Sequence, residues 1–498
     1  MTLLQTPEQA ASWLRSHVSG SLSTDSRKVG SGDGFIAWPG AATDARQYVG
    51  EVLLAGAGAC LVESDGWEKF GFTDSKIGTF EGLKAAAAPI AAAYFNEPSK
   101  QLQVVAVTGT NGKTSTAWWL AQALGRIGRK CGIVGTLGIG EPEGIVFNGL
   151  TTPDPVLLQQ QLRRFVDEGF IACALEASSI GIAEQRLDAT CIRVAVFTNF
   201  TQDHLDYHGS MPAYWDAKKK LFAWPGLEAA VLNIDDARGV ELDALLAGSG
   251  LDVWTLSLGG RARIRAENVE LGALGMNFDV VEGAERVRIS SGMVGLYNVS
   301  NMLGVVAAMR AMGISLAHAA NACDGLSPVP GRLETLVAQG MPMVAIDYAH
   351  TPDALEKVLV ALKPVAKARA GRLWCVFGCG GDRDATKRPL MAAIAQKHAD
   401  QVVVTSDNPR HESATAIISQ ILLGLTHCDA VHVEADRALA ITQTIALAGP
   451  GDIVLIAGKG HESYQEICGV KHPFSDRTHA EAAFGTMRAA RLSGGGAP

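Results

Sequence analysis

The run Gly109-Thr110-Asn111-Gly112-Lys113-Thr114-Ser115 combines small residues, a lysine and hydroxyls in the order that suits phosphate binding. Consecutive backbone N–H groups at a helix N-terminus can surround phosphate oxygens, with the lysine reaching outer phosphates and Thr114 a magnesium ion. The full GxxxxGK pattern asks for glycine at position 107, where Val107 stands, so the flanking elements must carry the reading. Gln103 to Thr108 is a short, β-branched apolar run. Lys113 to Gly128 continues with Leu120, Leu124 and Ile127 at helical spacing, which gives strand, glycine loop and helix.

Two further apolar runs stop at residues of metal-ligand type. Ile171 to Leu175 ends at Glu176, followed by Ser178, and Val194 to Phe197 leads to Asp203 and His204. Parallel strands gather their C-termini at one edge, so Glu176 and His204 can both face the phosphates. Magnesium prefers oxygen, which favours Glu176; spacing alone reads His204 as a helix-start or surface histidine. Lys218-Lys219-Lys220 reads by composition as a solvated basic helix face. Asn298 and Asn301 lie three apart on one helix face, where both amides could reach a base or ribose, or cap the helix.

A third group sits at later strand ends: Gly378-Cys379-Gly380-Gly381-Asp382-Arg383, Asp407-Asn408-Pro409-Arg410 and Gly458-Lys459-Gly460-His461-Glu462. Guanidinium groups bind carboxylates bidentately, whereas Asp and Glu accept from an ammonium. The mixture suits an amino acid; surface turns with ordinary ion pairs are the other reading.

These residues require an α/β scaffold. The punctuation predicts three domains: residues 1–98, ending at the turn Asn96-Glu97-Pro98-Ser99; 99–330, with a mixed sheet; and 331–498, a Rossmann-like doubly wound unit after the linker Ser327 to Gly331. In the middle segment, strands at 171–175, 194–197 and 230–233 alternate with helices, and residues 251–291 read as an antiparallel addition. The third segment places strands at 373–377, 401–405 and 453–457. Met1 to Gly20 reads as one amphipathic helix without signal-peptide character, and Ser493 to Pro498 as a frayed tail.

Length agrees, since 498 residues at roughly 150 per domain give about three. A formal charge of −8 argues against a protein that coats nucleic acid, and no apolar stretch is long enough for a membrane span. The nine cysteines lack paired short spacings, so reduced thiols and a cytoplasmic protein are expected.

TGTNGKTS, LEASS, TNFTQDHLDYHG, AKKKLF, GLYNVSN, PGRLE, DYAHTPDAL, FGCGGDRDATKRPLM, SDNPR and AGKGHE occur in this order over nearly the whole chain, which therefore resembles the Mur ligases. The resemblance implies an ATP-dependent, amide-forming ligase of peptidoglycan precursor synthesis, monomeric, using ATP and two magnesium ions. It assigns Gly109 to Ser115, Asn298, Asn301, Arg332 and Asp347 to ATP, and Thr114, Glu176, His204 and a carbamylated Lys218 to the metal, with Lys113, Lys218 and His204 catalytic. A carbamate has physical sense there, because it replaces a cation beside magnesium with an anionic ligand. Thr24, Ser26, Thr151, Thr152, Ser178, Glu184 and Arg186 match a site for a uridine-diphosphate sugar-peptide. Arg383, Asp407, Asn408, Pro409, Arg410, Gly458 and Glu462 match the amino-acid pocket.

Within this family the Asp407-Asn408-Pro409-Arg410 motif accompanies meso-diaminopimelate, whose distal carboxylate would pair with Arg410. Lysine-adding relatives lack that arginine, an unmatched cation for a lysine ammonium. The implied reaction adds diaminopimelate to the D-Glu γ-carboxylate of UDP-N-acetylmuramoyl-L-Ala-D-Glu through an acyl phosphate, with hinge closure at the linker 328–333. Alternatives are the lysine-adding ligase and a folylpolyglutamate synthetase-like enzyme; a motor or signalling NTPase would lack the amino-acid pocket. Leu150, Ile180 and Glu184 depart from the family pattern, which has Asn before the threonines, His after the serines and Gln at the substrate contact.

Overall fold

The computed structural model describes residues 1–40, 43–272, 275–427 and 430–494. Three sheets organise them. The first is parallel, with strand order Thr2–Leu4, Ile77–Phe80, Ala59–Glu63, Gly34–Ala37, Leu22–Ser23. Alternation along its strands sorts side chains between two cores: Ile36 and Leu61 pack with the helices Pro7–His17 and Leu83–Tyr94, while Phe35 and Ala37 pack on Val49 and Val52. The expected single N-terminal helix is instead a strand and a helix. Thr6 accepts from Gln9 N and Pro7 occupies the first turn, so the helix starts there and releases Thr2–Leu4 to the sheet edge.

The second sheet has ten strands. Its parallel centre runs Asp252–Ser257, Ala229–Asn233, Val194–Phe197, Gln103–Thr108, Ala172–Glu176, Cys131–Gly135, and the antiparallel strand Gly138–Gly140 closes one edge. At the other edge Ile264–Gly272, Gly275–Glu282 and Glu285–Ser291 form an antiparallel meander. The expected antiparallel addition over 251–291 thus begins later: Asp252–Ser257 pairs parallel to Ala229–Asn233 and buries Trp254 and Leu256 in the main core. Val105 and Val107 face the helices Lys113–Arg126 and Leu296–Ala311, and Val104 and Ala106 the opposite core. Both faces are covered, as the continuous apolar runs of a parallel sheet require.

The third sheet has the order Glu334–Leu336, Met343–Asp347, Ile453–Ala457, Leu373–Phe377, Gln401–Val404, Val431–Val433, antiparallel only at its first pair. Helices cover both faces, giving the doubly wound form. The last helix spans Asp476–Gly494; it takes in Ser493 and Gly494 of the expected tail, and residues 495–498 lie outside the described residues. Among the described residues no helix is long and apolar enough to cross a membrane, and the described cysteines are free, most of them buried.

One interaction ties this sheet together beneath its pocket. Arg437 and Asp476, both fully buried, form a two-pronged pair at 2.8 Å, and Arg437 also donates to the carbonyls of Ser406 (3.1 Å), just past Gln401–Val404, and Ala457 (3.0 Å), at the end of Ile453–Ala457, two strands that flank Leu373–Phe377. Removing one partner of such a pair leaves a buried uncompensated charge. Asp476→Ala is therefore expected to destabilise the unit by about 3–5 kcal/mol, read as an earlier guanidinium unfolding transition.

Candidate active site

The phosphate-type loop is shaped by its neighbour strand. Asn199 accepts from Thr110 N through its backbone carbonyl (2.8 Å) and from Asn111 N through its side-chain oxygen (2.9 Å), and its amide donates to Asn111 O (3.0 Å). Thr198 Oγ1 donates to Asn111 O at 2.6 Å. Gly109 and Gly112 have φ of 144° and 86°, and a Cβ on Gly112 would stand 2.4 Å from Asn301 Oδ1. Lys113 Nζ donates to Gly109 O (2.9 Å) and Thr110 O (2.8 Å). Its pKa is held below the usual lysine range by burial, against the attraction of Glu176 and Asp203.

Glu176 ends its strand buried, level with Val107 on the neighbouring strand. Its carboxylate accepts from Thr114 Oγ1 (3.0 Å), Thr136 N (2.9 Å) and Thr136 Oγ1 (3.1 Å). Thr114 in turn accepts from Arg332 Nη2 at 3.1 Å, and the Arg332 guanidinium lies 4.4 Å from the ring centroid of Tyr348. Thr136 carried no motif and was invisible in the sequence. A hydroxyl and a carboxylate a hydrogen bond apart at the mouth of this loop are hard oxygen donors of the kind magnesium takes. Among the described residues no group of three or more His, Cys, Asp or Glu could hold a metal by itself.

Lys218 overturns the solvated reading of the lysine run. Only 1% of its surface is exposed, its Nζ donates to Gly109 O at 2.7 Å, and the Tyr214 ring lies 4.6 Å away. Burial, then repulsion from Lys113, lowers its pKa well below the ordinary lysine value. Helical spacing carried the missed signal: Tyr214 and Trp215 precede Lys218 by four and three positions, Leu221 and Phe222 follow by three and four, and all are buried. His204 starts the one-turn helix Leu205–His208 in left-handed backbone (φ 52°), with Nε2 3.4 Å from Asp203 Oδ2. Burial keeps it below the usual histidine range. Burial alone would raise Asp203, but His204, His350 and Lys387 bring it to about 2.

On the helix Leu296–Ala311, Asn301 and Asn298 are buried on one face; Asn298 Nδ2 donates to Val294 O (2.8 Å) and Asn301 Nδ2 to Asn298 Oδ1 (3.4 Å). Asp347 ends its strand and accepts from Leu333 N at 2.7 Å, its carboxyl pushed up to about 6 by burial. Asn111 Nδ2 reaches Asp353 Oδ2 of the third unit at 2.9 Å, a contact the sequence did not suggest.

Thr151, Thr152, Ser178 and Arg186 converge. Thr151 bonds Thr136 (3.0 Å), Thr152 bonds Ser178 (2.9 Å), and Arg186 donates to Thr152 O (3.0 Å). Thr24 and Ser26 lie apart from them, at the end of the Leu22–Ser23 strand and the start of the turn Ser26–Lys28. The departing Glu184 is neutralised from the first unit by Lys84 at 2.7 Å and also accepts from Tyr207 Oη. Leu150 is exposed.

In the third unit, Asp407 and Asn408 are buried, Asn408 Nδ2 donates to Glu462 Oε2 (2.8 Å), and a Cβ on Gly458 would stand 2.5 Å from Asp407 Oδ2. Pro409 leads to Arg410, which adopts φ 53°, donates to Gly381 O (2.7 Å) and lies 3.5 Å from Glu466. The hairpin Tyr464–Ile467 and Val470–Pro473 fixes Arg410 through its backbone, Arg410 N to Glu466 O and Cys468 N to Arg410 O. Arg383 is exposed and, among the described residues, its side chain bonds only the neighbouring Asp382 carbonyl (3.2 Å), so the structure does not join it to this cluster.

Residues 107–309 match the Mur ligase middle domain and residues 331–460 the Mur ligase glutamate ligase domain. The chain belongs to the Mur ligase family. It is 58% identical, over 96% of its length and 97% of the relative's, to the UDP-N-acetylmuramoyl-L-alanyl-D-glutamate–2,6-diaminopimelate ligase of Acidovorax sp. (strain JS42). With the ligase of the same description from Pseudomonas aeruginosa it shares 45% identity over 93% and 94% of the two chains. A solved structure of such a ligase superposes with a TM-score of 0.63 at 33% identity, covering 94% of this Mur ligase and 95% of that chain. A folylpolyglutamate synthase from Mycobacterium tuberculosis shares the fold at 20% identity and TM-score 0.63, over 75% of this Mur ligase and 92% of that chain.

Gly112 offers a test of the loop. Gly112→Ala combines a left-handed backbone with the clash against Asn301 and is expected to weaken ATP binding roughly tenfold or more, measured by calorimetry. Gly125→Ala, whose added methyl meets nothing within 4 Å, is the control and should bind ATP normally.

Proposed function

We propose that this Mur ligase joins meso-diaminopimelate to the D-Glu γ-carboxylate of UDP-N-acetylmuramoyl-L-Ala-D-Glu, converting ATP to ADP and phosphate. One observation carries the reading: Thr114 of the phosphate-type loop is hydrogen-bonded to Glu176 of its own sheet and to Arg332 of the segment entering the third unit. That contact supports a site shared by the ATP-type unit and the unit holding Arg410 and Glu462. The names of the relatives at 58% and 45% identity support the substrate, and the presence of Arg410 in the pocket supports a second carboxylate over lysine.

In this reading the γ-carboxylate attacks the terminal phosphorus of ATP, giving an acyl phosphate and ADP. The diaminopimelate amine then attacks the acyl carbon, and the tetrahedral intermediate collapses to the amide with loss of phosphate and a proton. Loop N–H groups and Lys113 hold the phosphates and balance charge growing on the transferring group. Asn298, Asn301 and Asp347 take the nucleoside, and Arg332 the phosphates. Thr151, Thr152, Ser178 and Arg186 bind the sugar-peptide, with Glu184, Thr24 and Ser26 nearer the sugar nucleotide. Thr114, Glu176, His204 and the modified Lys218 would hold magnesium, which would supply positive charge against the phosphate oxygens. Asp407, Asn408, Gly458 and Glu462 hold the amino acid by its ammonium end and Arg410 its distal carboxylate, with Arg383 at the rim. An enzyme consuming ATP and a nucleotide-linked sugar would act in the cytoplasm.

Lys218 is proposed to carry a carbamate. Its depressed pKa leaves more of the amine neutral, the form that attacks carbon dioxide, and the product is an anion beside the metal site. Protein incubated with ¹³C-bicarbonate should give a carbamate carbon signal that Lys218→Arg abolishes, with kcat falling roughly hundredfold or more. The same signal in Lys218→Arg would remove the assignment.

Phosphate release from ATP with the UDP-muramoyl-dipeptide, compared across diaminopimelate, lysine and no amino acid, tests the whole reaction. Release should require diaminopimelate, and Arg410→Lys should raise its KM roughly tenfold or more. Release without an amino acid, or a preference for lysine, would overturn the proposal.

A further inference from the structure

Lys459 belongs to the motif Gly458-Lys459-Gly460-His461-Glu462 that follows strand Ile453–Ala457. It lies between two glycines of positive φ, Gly458 (117°) and Gly460 (53°), which turn the chain so that its side chain runs inward. The side chain is fully buried, and Glu462 is its only ion-pair partner among the described residues. Its Nζ donates to Glu462 Oε2 and to Asn408 Oδ1, each at 3.0 Å, while Asn408 Nδ2 closes the triangle on Glu462 Oε2 at 2.8 Å. Glu466 N also donates to Asn408 Oδ1 at 3.0 Å.

These bonds remove every rotational choice. With two donors on its oxygen and an acceptor on its nitrogen, the Asn408 amide has one orientation. Glu462 spends Oε2 on Lys459 and Asn408, and its Oε1 has no protein hydrogen bond among the described residues. What remains presented is one carboxylate oxygen and one amide N–H, an acceptor and a donor side by side. That pair matches the ammonium and carboxylate of an amino-acid zwitterion.

We propose that Lys459 is a positioning residue of the amino-acid pocket, fixing through its two hydrogen bonds the Glu462 oxygen that receives the incoming ammonium and the Asn408 N–H that receives the adjacent carboxylate. The inference rests on the pocket reading above and adds to it the group that orders the pocket before the ligand arrives. Lys459 touches no substrate; it acts through Glu462 and Asn408.

Full-length Lys459→Met, Lys459→Arg, Glu462→Gln and the double variant Lys459→Met/Glu462→Gln are compared in steady-state assays with ATP, UDP-muramoyl-dipeptide and diaminopimelate. Lys459→Met should raise the diaminopimelate KM roughly tenfold or more while the KM values for ATP and the sugar-peptide stay within about twofold. Lys459→Arg should restore part of the loss. In the Glu462→Gln background the Lys459→Met change should add less than about threefold, because both changes break one unit. This comparison stands even if Lys459→Met alone fails to fold, since the double variant leaves no unpaired carboxylate buried. An unchanged diaminopimelate KM, an equal rise in all three KM values, or full multiplication of the two effects would overturn the proposal while leaving the pocket reading intact. A wild-type enzyme with no diaminopimelate-dependent phosphate release would overturn both.

Discussion

The carbonyl oxygen of Gly109 accepts hydrogen bonds from two lysine amines, Lys113 at 2.9 Å and Lys218 at 2.7 Å, in a buried setting. Two ammonium groups sharing one acceptor repel strongly where water cannot screen them, which is the constraint around which the rest of the site is arranged. Burial depresses both amines; Lys113 depresses Lys218 further, which Asp203 only partly offsets, whereas Glu176 and Asp203 both act to hold Lys113 up. Lys113 keeps Glu176 and Asp203 near it, so its charge is the one worth preserving. A neutral Lys218 is in turn the nucleophilic form that carbamylation requires, and that modification would replace the repulsion with attraction. The nearby Glu176 is held by hydroxyl and backbone donors, Thr114 Oγ1, Thr136 N and Thr136 Oγ1, with no hydrogen bond from either lysine.

Much of this was legible before any coordinates. The strand Gln103–Thr108 and the helix from Lys113 follow from apolar periodicity and from glycine punctuation, and the strand ends at Glu176 and Phe197 follow from where apolar runs stop. What failed was legible only through packing. Three consecutive lysines look alike by composition, yet the 3.6-residue period puts Lys218 alone against Tyr214, Trp215, Leu221 and Phe222. The strand Thr2–Leu4 was lost because a sheet edge is decided by a partner seventy-odd residues away, Ile77–Phe80, and local sequence carries no trace of it.

The departures from the family pattern divide in the same way. Glu184 looks like a charge placed against an anionic substrate until Lys84, a hundred positions earlier, is found 2.7 Å from it. Thr136 had no motif at all and nothing within DYAHTPDAL singles out Asp353, because a threonine after a strand and an aspartate in the first turn of a helix are ordinary local choices. Their importance comes from the sheet register that sets Glu176 level with Val107 and from the packing that brings the helix Pro352–Ala368 against the loop.

Arg332 lies inside the connecting segment and at the same time donates to Thr114. In the proposed reading, where the connecting segment is the pivot and Thr114 belongs to the nucleotide site, such a group cannot respond to one without reporting on the other. Any turn of the third unit moves the guanidinium off Thr114, and Asn111 loses Asp353 in the same motion. The free energies of nucleotide binding and of unit orientation are then linked, and linkage is reciprocal: whatever a bound nucleotide contributes to holding the units together, a compound wedged between them subtracts from nucleotide affinity in equal measure. Ligands that never touch the phosphate loop can therefore act as antagonists of ATP, competing through geometry instead of through shared space.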